Sequence, residues 1–339
     1  LNTLPDSLRE ARFSHLYIER EARHYPIAKR VMERFPAAVR VDIEHYKEVF
    51  ARPRQRFAAQ KTARKLILAV QKSPLVYPGA KVCHDFGHAR FFYTSSVLNC
   101  VYDCEYCFLQ GMFPSANIVV FVNIEDSFAE VERLLADGPV YLSVSYESDL
   151  LAFEPIVPLA SQWIEFARAQ PELTLEIRTK SAAYAAIRQL TPAANVVLAW
   201  TMTPERVARS HEPLTPAFSA RLHSAKQALE DGWKVRICFD PMLYIEDWQS
   251  AYGECVKQVF AALPPQAVHD VSIGTFRAPK DYLKTMRKQR PDSALLHYPF
   301  VNENGVMGYP KALEQEMIDF MRESVARHFP AERIFTLSE

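Results

Sequence analysis

From about residue 91 the chain alternates short runs rich in β-branched and aromatic residues with stretches of helical periodicity. The runs FFYTSSVL (91–98), PVYLSVS (139–145), LTLEIRT (173–179), NVVLAWTM (195–202), KVRICFD (234–240) and HDVSIGTF (269–276) read as six strands. Amphipathic stretches at 126–136, 155–170, 181–190, 216–231 and 247–262 lie between them, and helical patterns follow at 278–289 and 311–328. Alternation at this length predicts a parallel sheet with right-handed crossovers. Six units fall short of a closed eight-stranded barrel, so the pattern predicts an α/β fold, a partial (β/α)6 barrel of the TIM type. In such barrels the chemistry sits at the C-terminal ends of the strands.

The first 90 residues read differently, with helical patterns at 20–35 and 58–65 among Arg- and Pro-containing loops. The LILAV run at 66–70 has the length of a strand or a core helix. The expected division is a helical, basic region over 1–90 packed on a barrel over 91–339 with a C-terminal helical extension. Arg52, Arg54, Arg56, Lys61, Arg64 and Lys65 follow one another with no acidic residue between them. Such a run is either a solvated helix face, the commoner case, or a patch that touches phosphates.

Composition narrows the class. With 49 % hydrophobic residues in 339, the chain can bury a large core and is not disordered. Its 40 basic and 40 acidic side chains cancel, so attraction to a polyanion must come from a local patch. The stretch LNTLPDSLREARF has no apolar signal core and no run is long enough to span a bilayer, so a cytoplasmic protein is expected. A monomer is the default expectation. Neither a GxGxxG nor a P-loop pattern occurs, which removes the main support for dinucleotide or phosphate-loop readings. Of six cysteines, Cys83, Cys238 and Cys255 are scattered and read as buried small hydrophobes.

The other three stand together. Residues 99–110 read NCVYDCEYCFLQ, placing Cys100, Cys104 and Cys107 in a C-x3-C-x2-C spacing just after the first strand. Three thiolates on one loop can each ligate one iron of a 4Fe–4S cluster and leave the fourth iron open. An open iron can chelate the amino and carboxylate groups of S-adenosylmethionine (SAM) and deliver one electron to its sulfonium. A structural zinc site would need a fourth Cys or His, which Cys83 or His84 could supply, but the spacing suits zinc poorly. Tyr106, before the third cysteine, can lie against an adenine or simply pack in the loop.

With these residues the chain resembles the spore photoproduct lyases, radical SAM enzymes that reverse a thymine dimer in DNA. The resemblance runs over nearly the whole chain. Its landmarks are YIE to YP at 17–26, the cysteine block with its aromatic-L-Q tail, S-x-x-S-D at 145–149, Thr179-Lys180, Glu212-Pro213 and W-x-x-x-Y at 248–252. It implies a partial barrel of the radical SAM type, a 4Fe–4S cluster on Cys100, Cys104 and Cys107, and SAM as cofactor. It further implies SAM contacts from Tyr106, from Ser148 at the methionine end, from Lys180 to the carboxylate and from Thr201. By the same analogy a small ferredoxin or flavodoxin supplies electrons.

The substrate half departs from the family pattern. Where the lyases carry a cysteine that returns a hydrogen atom to the product, this chain has Tyr146. A tyrosine after the last cluster cysteine is Phe108 here, and an Arg-Tyr pair near 304 is replaced by Glu303-Asn304-Gly305-Val306-Met307. Tyr146 and Tyr106 are therefore the candidate catalytic side chains. The first functional expectation is radical chemistry on a nucleobase or pyrimidine photolesion, with Tyr146 as hydrogen donor and the basic run receiving phosphates. A small metabolite or peptide substrate is the second, and a non-catalytic iron–sulfur redox or binding protein the third. If Tyr146 is a donor, its hydroxyl should reach the cavity above the cysteines.

Overall fold

The computed structural model describes residues 13–80 and 82–336. The reading of the first residues as lacking a signal core falls almost entirely outside them. Six strands form the expected parallel run: β1 Phe91–Thr94, β2 Val140–Ser143, β3 Leu173–Thr179, β4 Val196–Thr201, β5 Lys234–Met242 and β6 Asp270–Thr275. Each pairs in parallel with the next. The strand Ile334–Thr336 extends the sheet beyond β6, and Val76–Pro78 adds antiparallel to β1, giving eight strands that do not close. The fold is therefore the partial α/β barrel that the periodicity predicts.

The connections follow the amphipathic stretches. Helices Ile124–Leu135, Leu159–Arg168, Phe218–Glu230 and Trp248–Ala262 cover the outer face of the sheet. On Leu159–Arg168 the buried set Leu159, Ala160, Trp163, Ile164 and Ala167 recurs at helical spacing, which fixes the face turned to the sheet. Lys280–Gln289 and Lys311–Ala326 complete the chain as expected. The helix expected over 181–190 shrinks to a 3-10 turn, Ala183–Ala186. There Ser181 captures the Ala183 amide at 3.0 Å, and Pro192 bars a helix from running on toward β4.

The N-terminal region holds the expected helices, Pro26–Arg34 and Phe57–Thr62, and also strands, of which the LILAV run forms one and His15–Glu19 and Val39–Ile43 are not anticipated. His15–Glu19 lies between Val39–Ile43 and Leu66–Ala69, both in parallel register with it. Ile118–Phe121 and Val97–Leu98 finish this five-stranded sheet. The run 91–98 is thus split: its first half is β1, and its second half pairs in the smaller sheet. Glu19 shows why a carboxylate ends the YIE landmark. It is buried and accepts the Tyr46 amide at 2.6 Å and the Val70 amide at 2.7 Å, tying two loops at the strand ends.

One loop closes what the sheet leaves open. Between Val76–Pro78 and β1 the chain crosses the barrel interior, and its rings touch both sides. His84 and Phe86 meet Phe335 of the last strand with centroids 5.5 and 5.3 Å apart, while Phe86 and His88 meet Tyr141 of β2 at 5.7 and 4.7 Å. The Arg236 guanidinium lies 3.2 Å from the Phe86 ring centre. It also bonds Glu176 at 2.5 Å and Asp270 at 2.8 Å, with the Tyr141 hydroxyl 2.7 Å from both Glu176 and Arg236. Burial works to raise the Glu176 carboxyl, but Arg178 and Arg236 hold it below its usual range.

Removing one partner from a buried network strands the others. Arg236→Ala should lower unfolding free energy by about 3–5 kcal/mol, since Asp270 loses its guanidinium and Glu176 is left with Arg178 alone. Urea unfolding checks this, and an unchanged midpoint would show that water replaces the guanidinium.

Candidate active site

The loop that carries the three cysteines is held by its backbone. Asn99 opens it with φ near 68°, a conformation that asparagine tolerates better than most residues. The Asn99 side-chain amide donates to the carbonyls of Ser115 and Asn117, each at 2.7 Å. Lys61 donates to the Tyr102 carbonyl at 2.7 Å and the Cys100 carbonyl at 3.3 Å, and Arg64 to that of Val101 at 2.5 Å. From the other side the Asp103 and Glu105 amides donate to the carbonyls of Pro213 and His211 at 3.0 and 2.8 Å. Arg290 pairs with Asp103 at 2.6 Å. Lys61 and Arg64 therefore turn inward to the loop, which removes them from a phosphate-facing patch, whereas Arg52, Arg54 and Arg56 remain exposed. Lys65 lies over the Tyr17 ring at 5.7 Å.

All three cysteines line one cavity of about 500 Å³ at the C-terminal ends of the strands, together with Tyr106, Tyr146, Ser148, Lys180 and Thr201. Every candidate site residue from the sequence is thus brought to one place. Ser148 donates to the Asn99 carbonyl at 2.9 Å. Its neighbour Asp149 accepts the Lys180 amide and the Thr179 hydroxyl, both at 2.7 Å, and caps the short helix Leu150–Phe153 through the Ala152 amide at 3.0 Å. The Tyr106 hydroxyl is bound by Glu212, so only its ring is free to meet a ligand. Over that ring, 5.1 Å from its centre, sits the Lys180 ammonium, which is also 3.8 Å from Glu212.

Glu212 is the hub that sequence reasoning quoted as a landmark without a role. It is fully buried, with Arg221 at 2.5 Å and the Thr203 hydroxyl at 3.0 Å. Burial alone would push its carboxyl up, yet Lys180 and Arg221 hold it down to about 2. Burial works to strip the Lys180 proton, and the Cys104 sulfur and Glu212 keep it on. Lys180 lines the cavity with its ammonium, a group suited to a carboxylate.

The donor set fits a 4Fe–4S cluster. Burial pushes the Cys100 thiol up to about 11 and Cys104 higher, so an incoming metal displaces protons there. Lys61, Arg64 and Lys180 surround the loop with positive charge that thiolates would offset. The Arg64 Nε and Nη2 atoms are buried without a hydrogen-bond partner. Among the described residues no three His, Cys, Asp or Glu side chains are placed to hold a single ion. A cubane instead spreads its three thiolates over three irons.

Comparison with known proteins gives this geometry its family. The spore photoproduct lyase family model matches residues 12–337. The chain belongs to the spore photoproduct lyase family. The spore photoproduct lyase of Bacillus subtilis is 19 % identical over 289 residues, 83 % of each chain. That of Clostridium acetobutylicum is 24 % identical over 169 residues, 48 % of this chain and 49 % of the relative. A solved spore photoproduct lyase complexed with dinucleoside spore photoproduct superposes with a TM-score of 0.83 at 19 % identity, covering 96 % of this chain and 98 % of that one. A variant with bound AdoMet and the same lesion gives 0.82 at 20 % identity, with the same coverage. As a member of this family the protein is an enzyme of the radical SAM, lyase-like type. Among the described residues no helix is long and apolar enough to cross a membrane.

Within this spore photoproduct lyase fold, two of the departures, Tyr146 and Phe108, line the same cavity. Tyr146 packs on Tyr93 with centroids 4.3 Å apart and on Phe108 at 5.6 Å, forming an aromatic wall. Its hydroxyl lies against Cys83, which lines the cavity and is not a core hydrophobe, unlike the buried Cys238 and Cys255. Arg178 and Arg277 also line the cavity, both paired with Asp240, at 3.4 and 2.8 Å. Sequence reasoning missed both arginines; their signal was a charged residue inside or just past a strand otherwise buried. The Val301–Glu303 and Val306–Gly308 hairpin carries Glu303 and Asn304, both exposed.

Lys61→Met keeps the apolar stem and deprives two loop carbonyls of their donor. It should destabilise the protein by about 1–3 kcal/mol and lower iron retained after anaerobic reconstitution. Arg52→Met, on the exposed part of the run, should change neither, as urea unfolding and iron assay would show.

Proposed function

We propose that Cys100, Cys104 and Cys107 hold a 4Fe–4S cluster, and that SAM binds beside it between Tyr106, Ser148, Lys180 and Thr201. The observation that carries this reading is the meeting in one cavity at the strand ends of three thiols and Lys180, whose ammonium lies over the Tyr106 ring and 3.8 Å from Glu212. When bound, the cluster and SAM supply a 5′-deoxyadenosyl radical. The chain's own side chains bind and orient. Lys180 faces the SAM carboxylate, Ser148 and Asp149 fix the loop and strand that flank it, and the Tyr106 ring offers a stacking face. Aromatic residues at Phe91, Tyr93, Phe108, Tyr146 and Tyr282 line the substrate side, and suit a planar base. The substrate proposed is a pyrimidine photolesion or related nucleobase, as the lesion-bound relatives suggest. A ferredoxin or flavodoxin is the proposed reductant.

One observation favours a smaller substrate over duplex DNA. The hairpin exposes Glu303 and Asn304 where the lyases are expected to present a cation, and two of the six basic residues at 52–65 face the cluster loop. A nucleoside or dinucleotide needs fewer phosphate contacts than a duplex, so its binding should vary little with salt. A redox protein without SAM chemistry has no use for Lys180 and Ser148 in this arrangement.

Anaerobic reconstitution, reduction with dithionite and incubation with SAM tests the reading. 5′-Deoxyadenosine should form, and spore photoproduct dinucleoside should be consumed. Its complete absence from a protein with full iron content would overturn the assignment. Replacing any one of Cys100, Cys104 or Cys107 with Ala should abolish the brown absorbance and SAM cleavage together. Lys180→Ala should retain the cluster and bind SAM roughly ten- to a hundredfold more weakly, the value of one charge-assisted contact; equilibrium dialysis with labelled SAM measures it.

A further inference from the structure

A second cavity, of about 460 Å³, lies where the two sheets part. The chain leaves the large sheet at the end of β1 and pairs in the smaller one at Val97–Leu98, and Ser95 stands between them. On the barrel side Tyr93 and Glu147 wall the cavity, and the segments 45–47 and 70–73 face them from the smaller sheet. Clefts between two such units are common ligand sites, and this volume suits a nucleotide-sized molecule. Tyr93 and Met112 line both this cavity and the one above the cysteines, so the two are neighbours.

The lining is chemically graded. Glu147 is 7 % exposed, and among the described residues no cation pairs with its carboxylate. The Ser95 hydroxyl, 3 % exposed, lies near it without a hydrogen bond of ordinary geometry. Buried polar groups are rarely left this way, so this end of the cavity asks for donors from outside the chain. Burial pushes the Glu147 carboxyl up, with only Ser95 acting against it. Aromatic rings form the sides: Tyr77 stacks on Tyr93 with centroids 5.4 Å apart, and Tyr46 meets Phe121 at 5.6 Å. At the mouth stand His45, Lys47 and Lys72, all exposed. Lys72 pairs with Glu21, and the Lys47 ammonium lies over the Tyr46 ring.

These features together select the ligand. A buried carboxyl among rings would hold an organic cation, but the lysines at the mouth oppose one. A nucleotide meets every part of the lining: the rings take a flat base, the carboxyl takes an exocyclic amine, and the lysines take phosphate. Thymine has no exocyclic amine and would turn a carbonyl toward Glu147. We propose that this cavity is a second nucleotide site, which holds a base with an exocyclic amine against Glu147 and its phosphate at Lys47. The site goes beyond the SAM and lesion readings and does not depend on them. A free nucleotide offers this chemistry, and so does a base that flanks a lesion in a DNA strand.

Calorimetry on the reconstituted enzyme saturated with SAM tests this, with dCMP as the probe because SAM itself carries an adenine. dCMP should bind, and dTMP at least about tenfold more weakly. Glu147→Met should weaken dCMP at least about tenfold while iron content and SAM affinity hold. Lys47→Met, at an exposed position that leaves folding intact, should weaken dCMP about two- to fivefold and leave deoxycytidine unchanged. Trinucleotides with spore photoproduct flanked by dC or by dT separate the two sources. A dC preference that Glu147→Met removes assigns the site to the strand, and dCMP binding without a flank preference assigns it to a free nucleotide. Three results would each overturn the proposal: no dCMP binding at millimolar concentration together with no flank preference, equal affinity for dCMP and dTMP, or dCMP binding untouched by both variants.

Discussion

A short loop that turns three sulfurs toward one point cannot also satisfy its own backbone. Its carbonyls face away from any strand or helix partner, and burying them unpaired would cost about 1–3 kcal/mol each. Here they are met by Lys61 and Arg64 from the N-terminal region, while the loop amides are met by the carbonyls of His211 and Pro213. That constraint explains much of the remaining architecture. The smaller sheet positions Lys61 and Arg64, and the buried Glu212–Arg221 pair holds the 211–213 segment where the loop needs it. The same Glu212 fixes Tyr106 and faces Lys180, so loop, aromatic and cation share one support.

The barrel interior is organised by alternating charge. Arg236, Glu176, Arg178, Asp240 and Arg277 follow one another, each paired with its neighbour. Every member is a liability alone, since an isolated buried charge is costly, and the set is stable only as a whole. It spans β3, β5 and the chain beyond β6, and ends at Arg277, which donates to the Val82 carbonyl of the loop that bears Cys83. Electrostatics deep in the barrel thus reaches the wall of the reactive cavity.

The six strands and the cavity's cofactor side were legible because both leave local marks. Strands of this kind show as apolar runs at regular intervals, and the three cysteines sit within one loop. What stayed hidden was long-range. Strands such as HLYIE and VRVDI carry polar or charged residues at every second position and stand among Arg- and Pro-containing loops outside the regular βα alternation. VRVDI is also mostly exposed, so they lack the apolar runs that mark the barrel strands. The basic run looked uniform, yet Lys61 and Arg64 differ from Arg52 and Arg54 in what they face, a property of the folded loop they meet. Cys83 looked like an isolated thiol because nothing near it in sequence indicates that its loop enters the barrel.

That entry has a consequence for the order in which the protein is assembled. The crossing loop precedes β1, but its rings rest against Phe335, near the other end of the chain. Contacts of such large sequence separation pay the greatest loop-closure entropy and tend to form late. A growing chain can therefore present the cysteine loop before the barrel interior has been stoppered. The loop that bears Cys83 thus finds its support only once the strand Ile334–Thr336 has joined β6, so this wall of the chamber forms after the strands that carry the cluster loop.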